Sequence, residues 1–250
     1  MGDKLTLAMH AETTHATRTG DRANNEDCAA VVVDGDTALL VVADGMGGHD
    51  NGEGASAAAV GALVDAFGSR AKPADFLQNG FQLAHDAVLA IGLSVPVDER
   101  PRTTCVAALV DGDSAWFAHS GDSRAYLVRD GKVVVRTRDH SHVEAMVDAG
   151  EITADQAQHH PLRNLVERCL GGERGAVEVE LGGPHALQPG DVVLLCSDGF
   201  WDGVDVAAAA DRLGKSKELE SDLETITEEA CRANAPQADN ATAAVLRLRK

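Results

Sequence analysis

No C-x-x-C pair occurs in this 250-residue chain, and its five cysteines, at 28, 105, 169, 196 and 231, are odd in number. Those absences argue against a thiolate metal site and against a disulfide framework, and they fit a reducing compartment. Cys28, Cys105 and Cys196 lie inside apolar runs, where a free thiol behaves as a small hydrophobe. The first residues show no basic-then-apolar signal pattern. The longest apolar runs, Ala38 to Ala43 among them, are far short of the ~20 residues that span a bilayer. Basic residues are scarce: 22 Lys and Arg stand against 40 Asp and Glu, for a formal net charge of −18. Nucleic acid and anionic membrane both call for a basic surface, so neither is expected as a partner. Internal repeats and low-complexity linkers are also missing. The expectation is a soluble, cytoplasmic protein.

What is present is an ordinary globular composition, 44% hydrophobic and 25% charged. The even spread of apolar segments favours one domain over residues 1–250, large enough to bury a core without staples. Three Asp-Gly turns sit between apolar runs, a strong hairpin signal. Cys28–Val33 pairs with Thr37–Ala43, Thr104–Val110 with Ser114–His119, and Ala125–Val128 with Lys132–Arg136. Further strands are expected at Leu5–Ala11, Val177–Leu181, Val192–Cys196 and Thr242–Leu248. Helical spacing of apolar residues predicts helices over Glu53–Phe67, Ala74–Ile91 and Lys217–Ala233. Hairpins with helices grouped apart indicate an α+β fold in layers. Residues 139–183 differ in texture. Ser141 to Glu144 and Thr153 to Gln156 both fit the helix capping box, so this stretch reads as a small helical insertion, either a flap or a packing excursion.

The chemistry lies in four aspartates beside Gly or Asn at the ends of apolar runs: Asp44, Asp122, Asp198 and Asp239. Three follow a strand and the fourth precedes one. In an antiparallel sheet those ends lie side by side, so all four carboxylates can gather at one rim. Without a cation such a cluster repels itself and raises its own pKa values. With hard divalent cations it is a binding site, and an oxygen-only ligand set suits Mg²⁺ or Mn²⁺ rather than zinc. Arg22, four residues before Glu26-Asp27, is either a solvated ion-pair partner or a guanidinium fork for phosphate. The loop Gly45-Met46-Gly47-Gly48-His49-Asp50-Asn51-Gly52 follows a strand and precedes a helix, but it matches neither nucleotide-binding glycine pattern. Its glycines instead let the backbone approach a metal, with the Gly45 carbonyl as a ligand. Four histidines, His140, His142, His159 and His160, cluster in the insertion at spacings that fit no common zinc pattern, and are read as surface or substrate-facing residues.

In order, the chain carries Arg22-x-x-x-Glu26-Asp27, Asp44-Gly45-Met46-Gly47-Gly48-His49, Thr103-Thr104, Gly121-Asp122-Ser123-Arg124, Gly190-Asp191 leading to Ser197-Asp198-Gly199, and Asp239-Asn240-x-Thr242. This series resembles the PP2C (PPM) family of metal-dependent serine/threonine protein phosphatases in its bacterial form, from about Thr17 to Leu246. The resemblance implies a four-layer α-β-β-α sandwich with two central antiparallel sheets, and it matches residues 139–183 to the family's flap.

The resemblance also implies roles. Asp44 bridges two Mn²⁺ or Mg²⁺ ions and Gly45 adds its carbonyl to the second; Asp198 and Asp239 hold the first. Asp122, with Asp198, helps bind a third, weaker ion. Asp27 acts through metal-bound water, and Arg22 holds the substrate phosphate. Two cations a few Å apart lower the pKa of a bridging water and generate a hydroxide for in-line attack. The implied substrates are phosphorylated proteins, those of a cognate Ser/Thr kinase and the kinase itself, for a monomeric enzyme that reverses kinase signalling. Two positions depart from the family pattern: Met46 stands where animal relatives have His, and Arg102 replaces the usual Gly before Thr103-Thr104. Two other readings stand beside this one: a catalytically inactive member that binds a partner or phosphopeptide, and a hydrolase of small phosphoesters.

Overall fold

The computed structural model describes residues 11–46, 51–68 and 72–249. Strands and helices are numbered along the chain. One five-stranded antiparallel sheet runs β1 (Ala11–Arg18), β12 (Ala241–Leu248), β11 (Val192–Cys196), β7 (Arg124–Arg129), β8 (Lys132–Arg136). The other runs β10 (Glu180–Ala186), β6 (Ser114–Ser120), β5 (Cys105–Asp111), β3 (Thr37–Asp44), β2 (Asp27–Asp34). A short ladder joins β4 (Arg102–Thr103) to β9 (Leu170–Gly171).

The two sheets pack face to face. Leu40, Val42, Val106, Phe117, Leu127, Leu195 and Leu246 fill the space between them. Helices α1 (Gly52–Phe67) and α2 (Pro73–Ile91) cover the outer face of the second sheet, where Leu39, Val41, Leu63, Leu77, Phe81 and Leu109 are buried together. Helices α5 (Asp198–Trp201), α6 (Val206–Lys215) and α7 (Leu219–Asn234) cover the first sheet over Leu194, Phe200, Leu213, Leu223, Ile226 and Val245. The result is the four-layer α-β-β-α sandwich. It also explains why β3 reads as a continuous apolar run. Its alternate residues face the inter-sheet core and the helical layer in turn, so both faces are buried. Each such Leu or Val contributes about 1.5–3 kcal/mol when fully buried.

The three hairpins form with the expected pairing. All three turn on two residues: Gly35-Asp36 with Gly35 at φ 61°, Gly112-Asp113 with Gly112 at φ 58°, and Asp130-Gly131 with both residues at positive φ. Between β8 and β10 the chain leaves the sheets for α3 (His142–Asp148) and α4 (Ala154–Gln158). The Thr153–Gln156 capping box closes reciprocally, whereas Ser141 caps Glu144 but the Glu144 side chain pairs with Arg138 instead.

The observed elements differ from the expected ones in places. Of the strand expected at Leu5–Ala11 only Ala11 falls within the described residues, and it opens the edge strand β1, Ala11–Arg18, whose other residues no expected strand covered. The strand expected at Val177–Leu181 begins at Glu180 and continues through Gly182-Gly183-Pro184 with a bulge. Helices α5 and α6 were not expected at all. Of the glycine loop, Gly47, Gly48, His49 and Asp50 lie outside the described residues. Among the described residues no helix is long and apolar enough to cross a membrane.

Candidate metal centre

The ends of six strands converge where the two sheets meet. Asp27 opens β2 and Asp44 closes β3, and the ladder pairs them directly. Asp198 follows β11 by two residues and starts α5 behind the N-cap Ser197. Asp239 lies two residues before β12, the neighbour of β11. Asp122 sits in the link from β6 to β7, on the other side of β11.

These carboxylates feel one another. Burial raises Asp44 well above the usual carboxylate range, and Asp27, Asp198, Asp122 and Asp239 push it further in the same direction. Burial raises Asp27 to about 7 against hydrogen bonds from Ser197 and Thr242, with Asp198 and Asp239 adding to the rise. Asp122 rises to about 7 through burial and then Asp198 and Asp139. Asp198 rises to about 6 through burial and then Asp239. Buried Oδ1 atoms of both Asp27 and Asp198 have no hydrogen-bond partner. Orphaned buried acceptors and mutual repulsion are costly features, and hard divalent cations relieve both. The donor set is oxygen only, so the residues present fit Mg²⁺ or Mn²⁺.

Around the carboxylates, hydroxyls and backbone groups hold the frame. Ser197 Oγ donates to Asp27 Oδ2 at 2.7 Å and accepts from the Thr242 amide at 3.0 Å. Thr103 Oγ1 donates to the Asp44 carbonyl at 2.8 Å, and Thr104 Oγ1 accepts from the Asp44 amide at 3.2 Å while sharing a 2.8 Å bond with Ser123 Oγ. Gly45 is buried and its amide donates to the Glu26 carbonyl at 3.0 Å. A Cβ there would meet the Gly52 carbonyl oxygen at 2.2 Å, so only glycine lets these backbones approach.

Arg22 is exposed on the loop between β1 and β2, and its Nη2 donates to Asp239 Oδ2 at 2.6 Å. Asn240 sets that loop: its Nδ2 donates to the carbonyls of Thr19 and Asn24, and its Oδ1 accepts from the Glu26 amide. A cavity of about 630 Å³ opens over the centre, lined by Arg22, Asp198 and Asp239 together with Arg163, Trp201 and Asp202.

Arg22, Asp27, Asp44, Gly45, Asp122, Asp198 and Asp239 thus stand around one rim. Sequence reasoning passed over Asp202 and gave no role to Ser197 or Asn240, which stand in the motifs that carry the resemblance. Asp202 had a local signal, four residues after Asp198 and therefore one helical turn away, and here it forms a two-pronged pair with Arg163. Ser197 and Asn240 stand beside Asp198 and Asp239 in the sequence, but their partners lie across the fold. Arg102 is accommodated, since β4 pairs with β9 and the Arg102 carbonyl accepts from the Met46 amide. His140 is not a surface residue: it is only 9% exposed.

Residues 15–246 match the family model for protein phosphatase 2C. Over 227 residues the chain is 37% identical to the serine/threonine protein phosphatase PstP of Mycobacterium tuberculosis, covering 90% of this chain and 42% of that relative. The chain therefore spans less than half of that relative's length. The structure of the S. agalactiae serine/threonine phosphatase superposes with a TM-score of 0.84 at 28% identity, covering 96% of this chain and all of the other. The catalytic domain of a serine/threonine protein phosphatase PstP, solved with 2 manganese ions, superposes with a TM-score of 0.77 at 30% identity, covering 96% of this chain and 99% of the other.

Proposed function

Because the chain belongs to the protein phosphatase 2C family, we propose that it hydrolyses phosphoserine and phosphothreonine in proteins with the help of divalent cations. The observation that carries this reading is the convergence of Asp27, Asp44, Asp122, Asp198 and Asp239, with orphaned buried oxygens, beside Arg22. We take the cations to be Mn²⁺ or Mg²⁺, two held by Asp44, Gly45, Asp198 and Asp239 with Asp27 behind them, and a weaker third at Asp122 and Asp198. When bound, they supply charge neutralisation at the phosphoryl group and a nucleophile available at neutral pH.

The chain's own residues do the rest. Arg22 has five N–H donors, and its bond to Asp239 fixes the guanidinium at the cavity edge with donors left for phosphoryl oxygens. Ser197, Thr103 and Thr104 keep the carboxylates of the hairpin in place. Buried Cys105 and Cys196 have thiols pushed far above their ordinary pKa by burial, so neither offers a thiolate nucleophile. The substrates on this reading are phosphoproteins, those of a cognate Ser/Thr kinase included, and the enzyme acts as a cytoplasmic monomer. The inactive-member reading is not favoured, since each aspartate of the family pattern is present.

The test is phosphate release from a phosphothreonine peptide with Mn²⁺ or with EDTA, for wild type and Asp198→Asn. Release that requires both the metal and Asp198 supports the proposal. Equal release in EDTA, or by Asp198→Asn, overturns it. A small aryl phosphate assayed alongside separates a protein phosphatase from a general phosphoesterase by the ratio of kcat/KM values.

A further inference from the structure

We propose that His140 is a positioning residue for Asp122: from the root of the flap it grips the Gly121–Asp122 segment and so sets the cation affinity of that carboxylate. The inference rests on the metal reading above and adds to it a residue that touches neither cation nor substrate.

His140 meets Gly121 twice. Its backbone amide donates to the Gly121 carbonyl at 3.0 Å, and the Gly121 amide donates back to His140 Nδ1 at 3.2 Å. The His140 carbonyl accepts from the Glu167 amide at 2.8 Å, and the bridge between Ser141 and Val166 follows directly. His140 is therefore the junction at which both arms of the flap meet the loop that carries Asp122. On the far side of that loop, Trp201 Nε1 donates to the Asp122 carbonyl at 3.1 Å. Arg124 lies over the Trp201 ring at 3.5 Å and makes a two-pronged bond to Asp139, the residue before His140. Three backbone groups around Asp122 are thus held from outside the loop.

The loop has little room to relax. Gly121 has φ 117°, and a Cβ on it would lie 2.6 Å from Thr104 Cβ. Without an acceptor at position 140 the buried Gly121 amide is orphaned, and leaving a buried donor unmade favours a different loop conformation.

The ring's tautomer follows from the same bonds. Because Nδ1 accepts, the neutral ring carries its proton on Nε2, which faces Glu180 Oε2 at 3.3 Å. His119 stacks on His140 with centroids 4.4 Å apart and planes 11° apart, and its Nε2 donates to the Arg138 carbonyl at 2.5 Å. The donor atoms of His119, His140 and Glu180 lie within 4.8 Å of one another. The trio is still not a metal site of its own. The proton on His140 Nε2 blocks that nitrogen, and two parallel stacked rings do not aim in-plane lone pairs at one ion. The cluster serves instead to fix the ring that holds Gly121. Outer partners of this kind typically change metal affinity when removed.

The experiment is a calorimetric Mn²⁺ titration, with thermal unfolding of each protein in parallel. His140→Phe keeps the ring and its stacking but removes the acceptor. His140→Asn places an amide oxygen near the Nδ1 position, and His140→Gln keeps polarity while moving the acceptor away. The weakest Mn²⁺ site is expected to lose about 10- to 100-fold in affinity in His140→Phe and His140→Gln, and to be restored in His140→Asn. In an Asp122→Asn background, His140→Phe is expected to have no further effect on Mn²⁺ binding. A wild-type isotherm for the Phe and Gln variants overturns the proposal, as does an Asn variant as weak as Phe. An equal Phe effect in the Asp122→Asn background also overturns it. Should His140→Phe fail to fold, the Gln and Asn variants decide. A wild type that takes up no Mn²⁺ overturns the metal reading itself, and this inference with it.

Discussion

Asp27 and Asp44 stand opposite one another at the open end of the β2–β3 hairpin, and after burial Asp27 is the largest influence raising Asp44. In the metal-free protein the cluster is therefore a source of instability that depends on pH. Asp27 and Asp122 rise from 3.8 to about 7 and Asp198 to about 6. A carboxyl raised in the folded state stabilises fully below its unfolded pKa, and that contribution is lost as pH rises through the folded value. The prediction is that Tm in EDTA falls between about pH 4 and pH 7.5, and that Mn²⁺ reverses the fall with release of protons. Since 1 kcal/mol corresponds to about 2–4 °C for a chain of this size, the drop is expected to reach at least that much. Thermal unfolding across pH in EDTA and in Mn²⁺ checks it. A Tm in EDTA that is flat or rising over that window contradicts the repulsion argument.

Ser197 gives the second prediction. Its hydroxyl satisfies Asp27 Oδ2 and the Thr242 amide at once, linking the rims of the two sheets. Ser197→Ala leaves both buried groups without that partner and is expected to cost about 1–3 kcal/mol in the metal-free protein. Mn²⁺ affinity should fall by about 10- to 100-fold, as for other residues that orient a ligand. Urea unfolding in EDTA and a Mn²⁺ titration read the two effects separately. An unchanged midpoint and affinity would show that Asp27 is held by other means.

Much of this arrangement was legible in the sequence, because its signals are local. Asp-Gly between apolar runs marks a hairpin because glycine takes the positive φ of its turn, so all three hairpins could be read, but not their register: Asp34 and Asp111 pair in the ladders and the turns are Gly35-Asp36 and Gly112-Asp113. Aspartates at strand ends could be expected at one rim once the strands were antiparallel. What escaped lacked a local signal. β1, with the sequence Ala-Glu-Thr-Thr-His-Ala-Thr-Arg, shows little apolar alternation and owes its place to pairing with the wholly buried β12. β10 runs through Gly182-Gly183-Pro184, residues that argue against a strand until a bulge on a sheet edge allows them. α6 did carry a cap, Asp205, which accepts from the amides of Ala207 and Ala208, but its Ala-rich start blurs the apolar stripe. His140 looked like one of four histidines clustered in the insertion at spacings that pointed to no site. Only the tertiary fold sets it against Gly121, 19 residues away.

Gly121 yields a prediction from backbone geometry alone. At φ 117° an L side chain is strained, and a Cβ would sit 2.6–3.2 Å from Thr104 atoms. Strain of this kind costs about 1–3 kcal/mol, and overpacking against buried Thr104 adds to it. Gly121→Ala is expected to lower stability by at least that amount and to displace Asp122, whereas Gly112→Ala, with φ 58° but open space around its Cβ, should cost only the strain. Chemical denaturation of the two variants compares them. Equal losses would mean that Thr104 yields freely and that the close approach carries no energy.

Arg22 separates binding from folding. It is exposed, and its side chain is 59% accessible in the pair with Asp239, so the ion pair contributes at most about 1 kcal/mol to stability. Arg22 lines the cavity beside Asp198 and Asp239, and on the proposed function its donors face the phosphoryl group there. Removing a preorganised donor aimed at developing charge typically costs about 10²–10³-fold in rate. Arg22→Ala is therefore expected to keep the wild-type Tm while kcat/KM for a phosphothreonine peptide falls by about 10²-fold. Arg22→Lys should recover only part of that loss, because an ammonium cannot reproduce the planar two-pronged fork. Steady-state kinetics with saturating Mn²⁺ measures both variants, and inorganic phosphate as a competitive inhibitor reports on ground-state binding. If Arg22→Ala retains full kcat/KM and full phosphate affinity, the phosphate is held by the cations alone and Arg22 serves only to orient Asp239.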